Sequence, residues 1–166
     1  MTVSDGDDAN PPAGFSLVTS SGGFSTHNGP YFEKRVEGRV LRGFRVLPRH
    51  ANSLGIVHGG MLSAFLDSTM GVAVHRFTRR RSVTLRLVAD FLTPGRLGEW
   101  LEAEAELVGA DESVAHIRAL IRSPRHLIVT GQGSFALLRT ERVLRRVDGA
   151  AAAGGVTPRR QSGEGR

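Results

Sequence analysis

The sequence predicts an α+β domain in which an antiparallel sheet wraps around one long central helix. Three observations carry that prediction. From Gly60 to about His75 the chain offers Met61, Leu62, Ala64, Phe65, Leu66, Met70, Val72, Ala73 and Val74, apolar nearly all round, so the stretch reads as a buried helix. Four strand-like runs follow, over residues 83–91, 101–107, 113–122 and 127–138. A meander after a single buried helix fits a sheet folded around that helix. One sheet leaves a side needing cover, so self-association is expected.

Taken in order, residues 1–30 are rich in Gly, Ser, Asp and Pro, and read as a flexible N-terminal segment. The folded domain is expected over residues 31–144. Residues 39–47 alternate, with Val40, Phe44 and Val46 on one side, and form its first strand. Pro48 to Ile56 is a connection, and Phe77 to Arg81 a basic turn after the helix. In the next run Val83, Leu85, Leu87, Ala89 and Phe91 alternate with Thr84, Arg86, Val88 and Asp90, until Pro94-Gly95 ends it. Leu101, Ala103, Ala105 and Leu107 then alternate with Glu102, Glu104 and Glu106, a strand with one wet face. Ser123-Pro124 separates the last two strands. Residues 145–166 are low in complexity and read as a disordered basic tail.

The composition excludes several classes of function. The 166 residues contain no cysteine, which removes disulfide scaffolds, thiol nucleophiles and Cys-ligated metal sites. The six histidines show no metal-ligand spacing, so no metal is expected. There is no G-x-S-x-G elbow and no phosphate loop. No apolar run reaches the ~20 residues of a membrane span, and the acidic start lacks a secretion-signal pattern; a cytoplasmic protein is expected. The net charge of +6 rests on 21 arginines and one lysine, densest at Arg79-Arg80-Arg81, where only Phe77 lies nearby. Nucleic-acid binding wants such a patch interleaved with aromatics, so no nucleic-acid partner is expected.

Two carboxylates stand between Gly38 and Gly98: Asp90, in a strand, and Asp67, two turns into the apolar helix. Burying an unpaired carboxylate costs several kcal/mol, so Asp67 is either bonded structurally, to an arginine or a backbone group, or functional. The segment Asn52-Ser53-Leu54-Gly55-Ile56-Val57-His58-Gly59-Gly60 favours function. Two glycines at a helix start leave uncrowded N–H groups at the positive end of the dipole, where negative charge on a carbonyl oxygen can be held.

The pattern N-x-x-G-x-x-H-G-G-x(6)-D, formed by Asn52, Gly55, His58, Gly59, Gly60 and Asp67, resembles hotdog-fold acyl-CoA thioesterases. The likeness is to the PaaI-like, phenylacetate-degradation branch of the 4-hydroxybenzoyl-CoA thioesterase superfamily, and covers roughly residues 29–140. Phe91-Leu92-Thr93-Pro94 and the closing Val129 to Phe135 agree with it. The resemblance implies a sheet around a central helix, active sites between paired subunits, and a homodimer or a tetramer of two dimers. It makes Asp67 the nucleophile or general base, the N–H around Gly59 the carbonyl polariser, and Asn52 the group that positions carbonyl or water. His58 would shape the site, while Gly60, Thr84 and Ser82 would contact substrate.

Thioester hydrolysis is coherent with so few groups. An alkyl thiol of pKa about 8.5 leaves without a strong general acid, so one carboxylate and one oxyanion site suffice. No cofactor is then needed, coenzyme A being part of the substrate; Arg79 to Arg81 either meet its phosphates or form a solvated turn. Three other readings compete. The same fold could be a non-catalytic acyl-CoA-binding or sensing module, or a dehydratase. Arg142, Arg145 and Arg146 could instead contact nucleic acid.

Overall fold

The computed structural model describes residues 9–19 and 22–139. Its elements, in chain order, are β1 (Ser16–Leu17), α1 (Gly23–Asn28), β2 (Phe32–Val36), β3 (Arg39–Arg45), α2 (Gly59–Thr78), β4 (Ser82–Phe91), β5 (Trp100–Ala110), β6 (Val114–Arg122) and β7 (Leu127–Leu137). The strands form one seven-stranded sheet in the order β1-β2-β3-β5-β6-β7-β4, and every neighbouring pair is antiparallel. The sheet curves around α2, which packs on β4, β5, β6 and β7.

Strand order departs from a simple meander. β5, β6 and β7 do pair consecutively, but β4 lies at the far edge and pairs with β7. The connection from β4 to β5 returns past the start of α2, where Val57 N–H donates to Gly95 O at 2.9 Å and Ile56 bridges Arg96. Such a crossover closes the sheet about the helix, and one strand edge is left for β4 to expose.

The helix is buried along one face rather than all round. Met61, Leu62, Phe65, Leu66, Thr69, Met70, Ala73 and Val74 are buried at the i, i+3, i+4 spacing of a single stripe. Between them Ser63, Ala64, Asp67, Ser68 and Gly71 are half-buried, and Gly60 is exposed. Burying Phe65 and Leu66 completely stabilises the fold by about 1.5–3 kcal/mol each. Phe65 meets Phe44 with ring centroids 4.7 Å apart and Tyr31 at 5.3 Å. Two glycines of β7 let the sheet come this close: a Cβ on Gly131 would fall 2.6 Å from Leu66 Cδ2, and one on Gly133 would fall 2.9 Å from Met70 Sδ.

The alternation expected in β4 reverses at its start. Register shifts between Thr84 and Arg86, and the irregularity turns Thr84 toward α2 while Val83 and Leu85 stand 52% and 61% exposed. An extra residue in one strand breaks the period of two, which sequence alternation alone cannot detect.

The chain before Tyr31 is in part seated on the sheet. Ala9 is buried, Phe15 stacks edge-on to Trp100 at 5.0 Å, and β1 pairs with β2. β2 itself joins β3 through Glu37 and Gly38, both at positive φ (48° and 77°), as a two-residue hairpin turn requires. The expected basic tail at 145–166, with Arg142, Arg145 and Arg146, lies outside the described residues.

Candidate active site

The loop between β3 and α2 is built to present the helix start. His50 is buried, its Nδ1 accepting from Leu47 N–H at 3.1 Å and its carbonyl accepting from His58 N–H at 2.8 Å. Asn52 folds the loop tip: its Oδ1 accepts from Leu54 N–H at 2.9 Å and Ile56 N–H at 3.4 Å. That is an Asx turn, the local bonding that short amide side chains favour. Of the side chain expected to hold carbonyl or water, Oδ1 is thus committed to the loop, and Nδ2 makes no hydrogen bond among the described residues.

His58 is the N-cap of α2. Its Nδ1 accepts from Gly60 N–H at 2.8 Å, and its carbonyl accepts from Met61 and Leu62 N–H at 2.9 and 3.2 Å. The histidine thus consumes the second glycine's donor, while Gly59 N–H donates to no group among the described residues. An unused N–H at the positive end of a 20-residue helix is a site for negative charge on oxygen. Phe91 lies beside it, its ring 3.6 Å from where a Gly59 Cβ would stand.

Asp67 sits two turns further along, half-buried, on the flank of α2 facing the exposed edge strand. Thr84 Oγ1 donates to Asp67 Oδ1 at 2.7 Å, so a strand and a helix together aim the carboxylate. No arginine or backbone group bonds Asp67 among the described residues. Ser82, two residues before Thr84 on the same face, lines a cavity with His75 and Arg81 and does not bond Asp67. Of the arginine run, Arg80 is spent on the carbonyls of Glu112 and Leu137, at 2.6 and 3.1 Å.

Within one chain the two halves of the site do not meet. Gly59 and Asp67 are eight residues apart, about 12 Å along a helix. One thioester carbonyl cannot span that distance. Asp67 lies by the Thr84 end of β4 and Gly59 by its Phe91 end. Antiparallel pairing of two β4 edges brings the Thr84 end of one against the Phe91 end of the other.

Sequence reasoning passed over Arg42 and Tyr31. Arg42 is 4% exposed, bonds Ser68 Oγ at 2.6 Å, and lies over the Tyr31 ring at 5.5 Å. The signal was present: alternation places Arg42 inward, between Val40 and Phe44.

An antiparallel sheet curved around one long helix is the hotdog architecture. The thioesterase superfamily profile matches residues 54–129. A Pseudomonas aeruginosa protein named "Putative esterase PA0474" is 30% identical over 132 residues, spanning 77% of this chain and 98% of its own length. The chain belongs to the thioesterase superfamily. Among solved structures, a variant of the phenylacetic acid degradation protein PaaI of Thermus thermophilus is 27% identical with a TM-score of 0.63, over 69% of this chain and 98% of that one. BH2602 of Bacillus halodurans, solved with CoA, is 28% identical with a TM-score of 0.61, over 65% of this chain and 74% of that one.

Proposed function

We propose that this protein hydrolyses acyl-CoA thioesters to free acid and coenzyme A, at sites formed between two subunits. Asp67 of one subunit is the nucleophile or the general base, and Gly59 N–H of the partner subunit polarises the thioester carbonyl. The observation that carries this reading is the Thr84–Asp67 hydrogen bond of 2.7 Å, which orients toward the exposed edge strand a carboxylate with no other bond among the described residues. Val83, Leu85, Phe91 and Leu92 on and after that strand are more than half exposed in the single chain. An unpaired apolar edge of this kind is a template for a second strand, and a β4–β4 pairing joins two sheets into one. The CoA bound by the Bacillus halodurans relative supports the leaving group.

Attack by Asp67, or by water it deprotonates, drives negative charge onto the carbonyl oxygen. The partner's Gly59 N–H and helix dipole then stabilise that oxygen. The thiolate departs without a general acid. Where water attacked, the acid is released at once; where Asp67 attacked, a water molecule then hydrolyses the acyl–Asp67 anhydride, freeing the acid and restoring the carboxylate. His58 holds Gly60 and fixes the first helical turn, and Asn52 shapes the loop behind it. Release of free thiol from acyl-CoA tests the reading: Asp67→Asn is expected to stay folded and lose at least about a hundredfold in kcat, near the size of a lost transition-state contact. Tight acyl-CoA binding without thiol release would instead indicate the sensing module.

A further inference from the structure

On the far side of α2 from β4 the chain forms a second recess, a cavity of about 700 Å3. Its walls include Leu17, Val18, Pro30 and Val72, and Tyr31, Glu33, Arg42 and Ser68 are among its polar lining. Tyr31 and Arg42 are each 4% exposed. The Tyr31 hydroxyl has no hydrogen-bond partner among the described residues. Arg42 Nε lies 3.2 Å from Glu33 Oε1, near enough for an ion pair but angled away from a hydrogen bond. Ser68 Oγ accepts from Arg42, which leaves its own hydrogen to donate. A buried donor left unmade costs about 1–3 kcal/mol, so a recess that collects several calls for an acceptor.

We infer that this recess receives the distal end of the acyl group and selects acyl chains that end in an oxygen acceptor, a carboxylate or a carbonyl. The inference rests on the thioesterase reading and adds the substrate class. Ser68 follows Asp67 directly on α2, and both are half-buried on the flank the sheet leaves open. Small side chains border that route: Ala64 and Gly71 lie on the same flank, and nothing stands within 4 Å of a Cβ on Gly71. From the carboxylate to Arg42 is about the breadth of one helix, roughly 10 Å, which an extended medium-length acyl chain crosses. Apolar walls with a few converging polar groups suit such a ligand. The groups are donors in the main. Burial pushes the Tyr31 hydroxyl above its ordinary range, so it remains protonated and donates at neutral pH. Glu33 balances the Arg42 charge while partly exposed, so it can turn outward when a ligand carboxylate arrives. The recess lies at the opposite end of the sheet from β4, and a β4–β4 pairing leaves it open.

The test compares adipyl-CoA and a terminal-ketone acyl-CoA with hexanoyl-CoA. The same three acyl groups are also tested as non-hydrolysable CoA thioethers by thermal-shift titration. The parent is expected to favour both oxygen-ended forms. In Tyr31→Phe, which keeps the ring packed on Phe44 and Phe65, the preference falls roughly two- to tenfold, the size of one neutral hydrogen bond, and the loss appears in KM. Arg42→Met lowers it further. Preference for the ketone alone would identify a neutral acceptor, and preference for the carboxylate alone an anionic one; either supports the inference. Equal affinity of the parent for all three thioethers overturns it, as does a Tyr31→Phe variant that keeps the full preference. Absence of thiol release, with the thioether preference intact, overturns the thioesterase reading and leaves this one standing.

Discussion

Replacing Gly59 by proline isolates one hydrogen-bond donor. Gly59 is the first helical residue, and proline is well tolerated there because the N–H it lacks has no partner within the helix. The preceding His58 has φ −63° and ψ 132°, the extended geometry that a following proline demands. A Cβ at this position meets the Phe91 ring at 3.6 Å, an ordinary contact. Gly59→Pro should therefore fold, with a melting temperature equal to or slightly above the parent's, since proline also restricts the unfolded chain. Its kcat should drop about a hundred- to a thousandfold, the 2.7–4 kcal/mol typical of a lost oxyanion donor. Gly59→Ala adds the same Cβ but keeps the N–H, so the difference between the two variants belongs to the donor. Mixing tests the seam. Each Gly59→Pro chain still offers Asp67, and each Asp67→Asn chain still offers Gly59. Random re-pairing makes half the dimers mixed, each with one intact site of two, so roughly a quarter of parental activity returns. A folded Gly59→Pro variant with kcat within about threefold of the parent would refute the role of the amide. Inactive mixtures of chains shown to exchange would refute the shared site.

Two further outcomes follow from packing and burial. Gly131→Ala puts a Cβ 2.5 Å from Val88 O and 2.6 Å from Leu66 Cδ2, and should destabilise by about 1–3 kcal/mol, read as a lower melting temperature. A melting temperature within about a degree of the parent's would mean that β7 can retreat from α2. His50 is held below its ordinary pKa of 6.5, chiefly by burial and also by the Arg49 cation. The unfolded chain then binds the proton more readily, so the stability His50 provides is present above about pH 6.5 and is lost as pH falls toward the depressed folded value. Urea unfolding of the parent and of His50→Gln should therefore show a gap that narrows from about pH 7.5 to about 5.5. A gap that is constant with pH would remove His50 as the source.

How much of this was legible beforehand varies element by element. The stretch 60–75 read as the central helix because its apolar density exceeds what any strand or loop carries, and the helix extends that stretch to Gly59–Thr78. β5 declared itself through Glu102, Glu104 and Glu106, which alternate with buried or half-buried partners. β2 stayed hidden because Phe32-Glu33-Lys34-Arg35-Val36 buries one residue fully, and its turn uses Glu37 where asparagine or aspartate would have signalled a hairpin. The positions of the motif residues follow from chain order: Asn52 lies in the loop, His58 at the cap, and Gly59, Gly60 and Asp67 on the helix. Which N–H remains open was not readable, because it depends on His58 turning its ring back onto Gly60.

Taken alone, the sequence determined a helix with a carboxylate two turns from a glycine start, amphipathic strands after it, and a chemistry without thiols. These are local matters, set by spacing and side-chain type within a few residues. Only the tertiary structure decided that β4 lies at the open edge, that an irregular register turns Thr84 onto Asp67, and that Arg42 and Tyr31 share a recess. Each joins residues more than ten positions apart, where the pattern of nearby residues carries no information about which surfaces meet. The separation of Gly59 from Asp67 follows the same division: helix geometry sets the distance, and the fold places the carboxylate beside the edge strand β4.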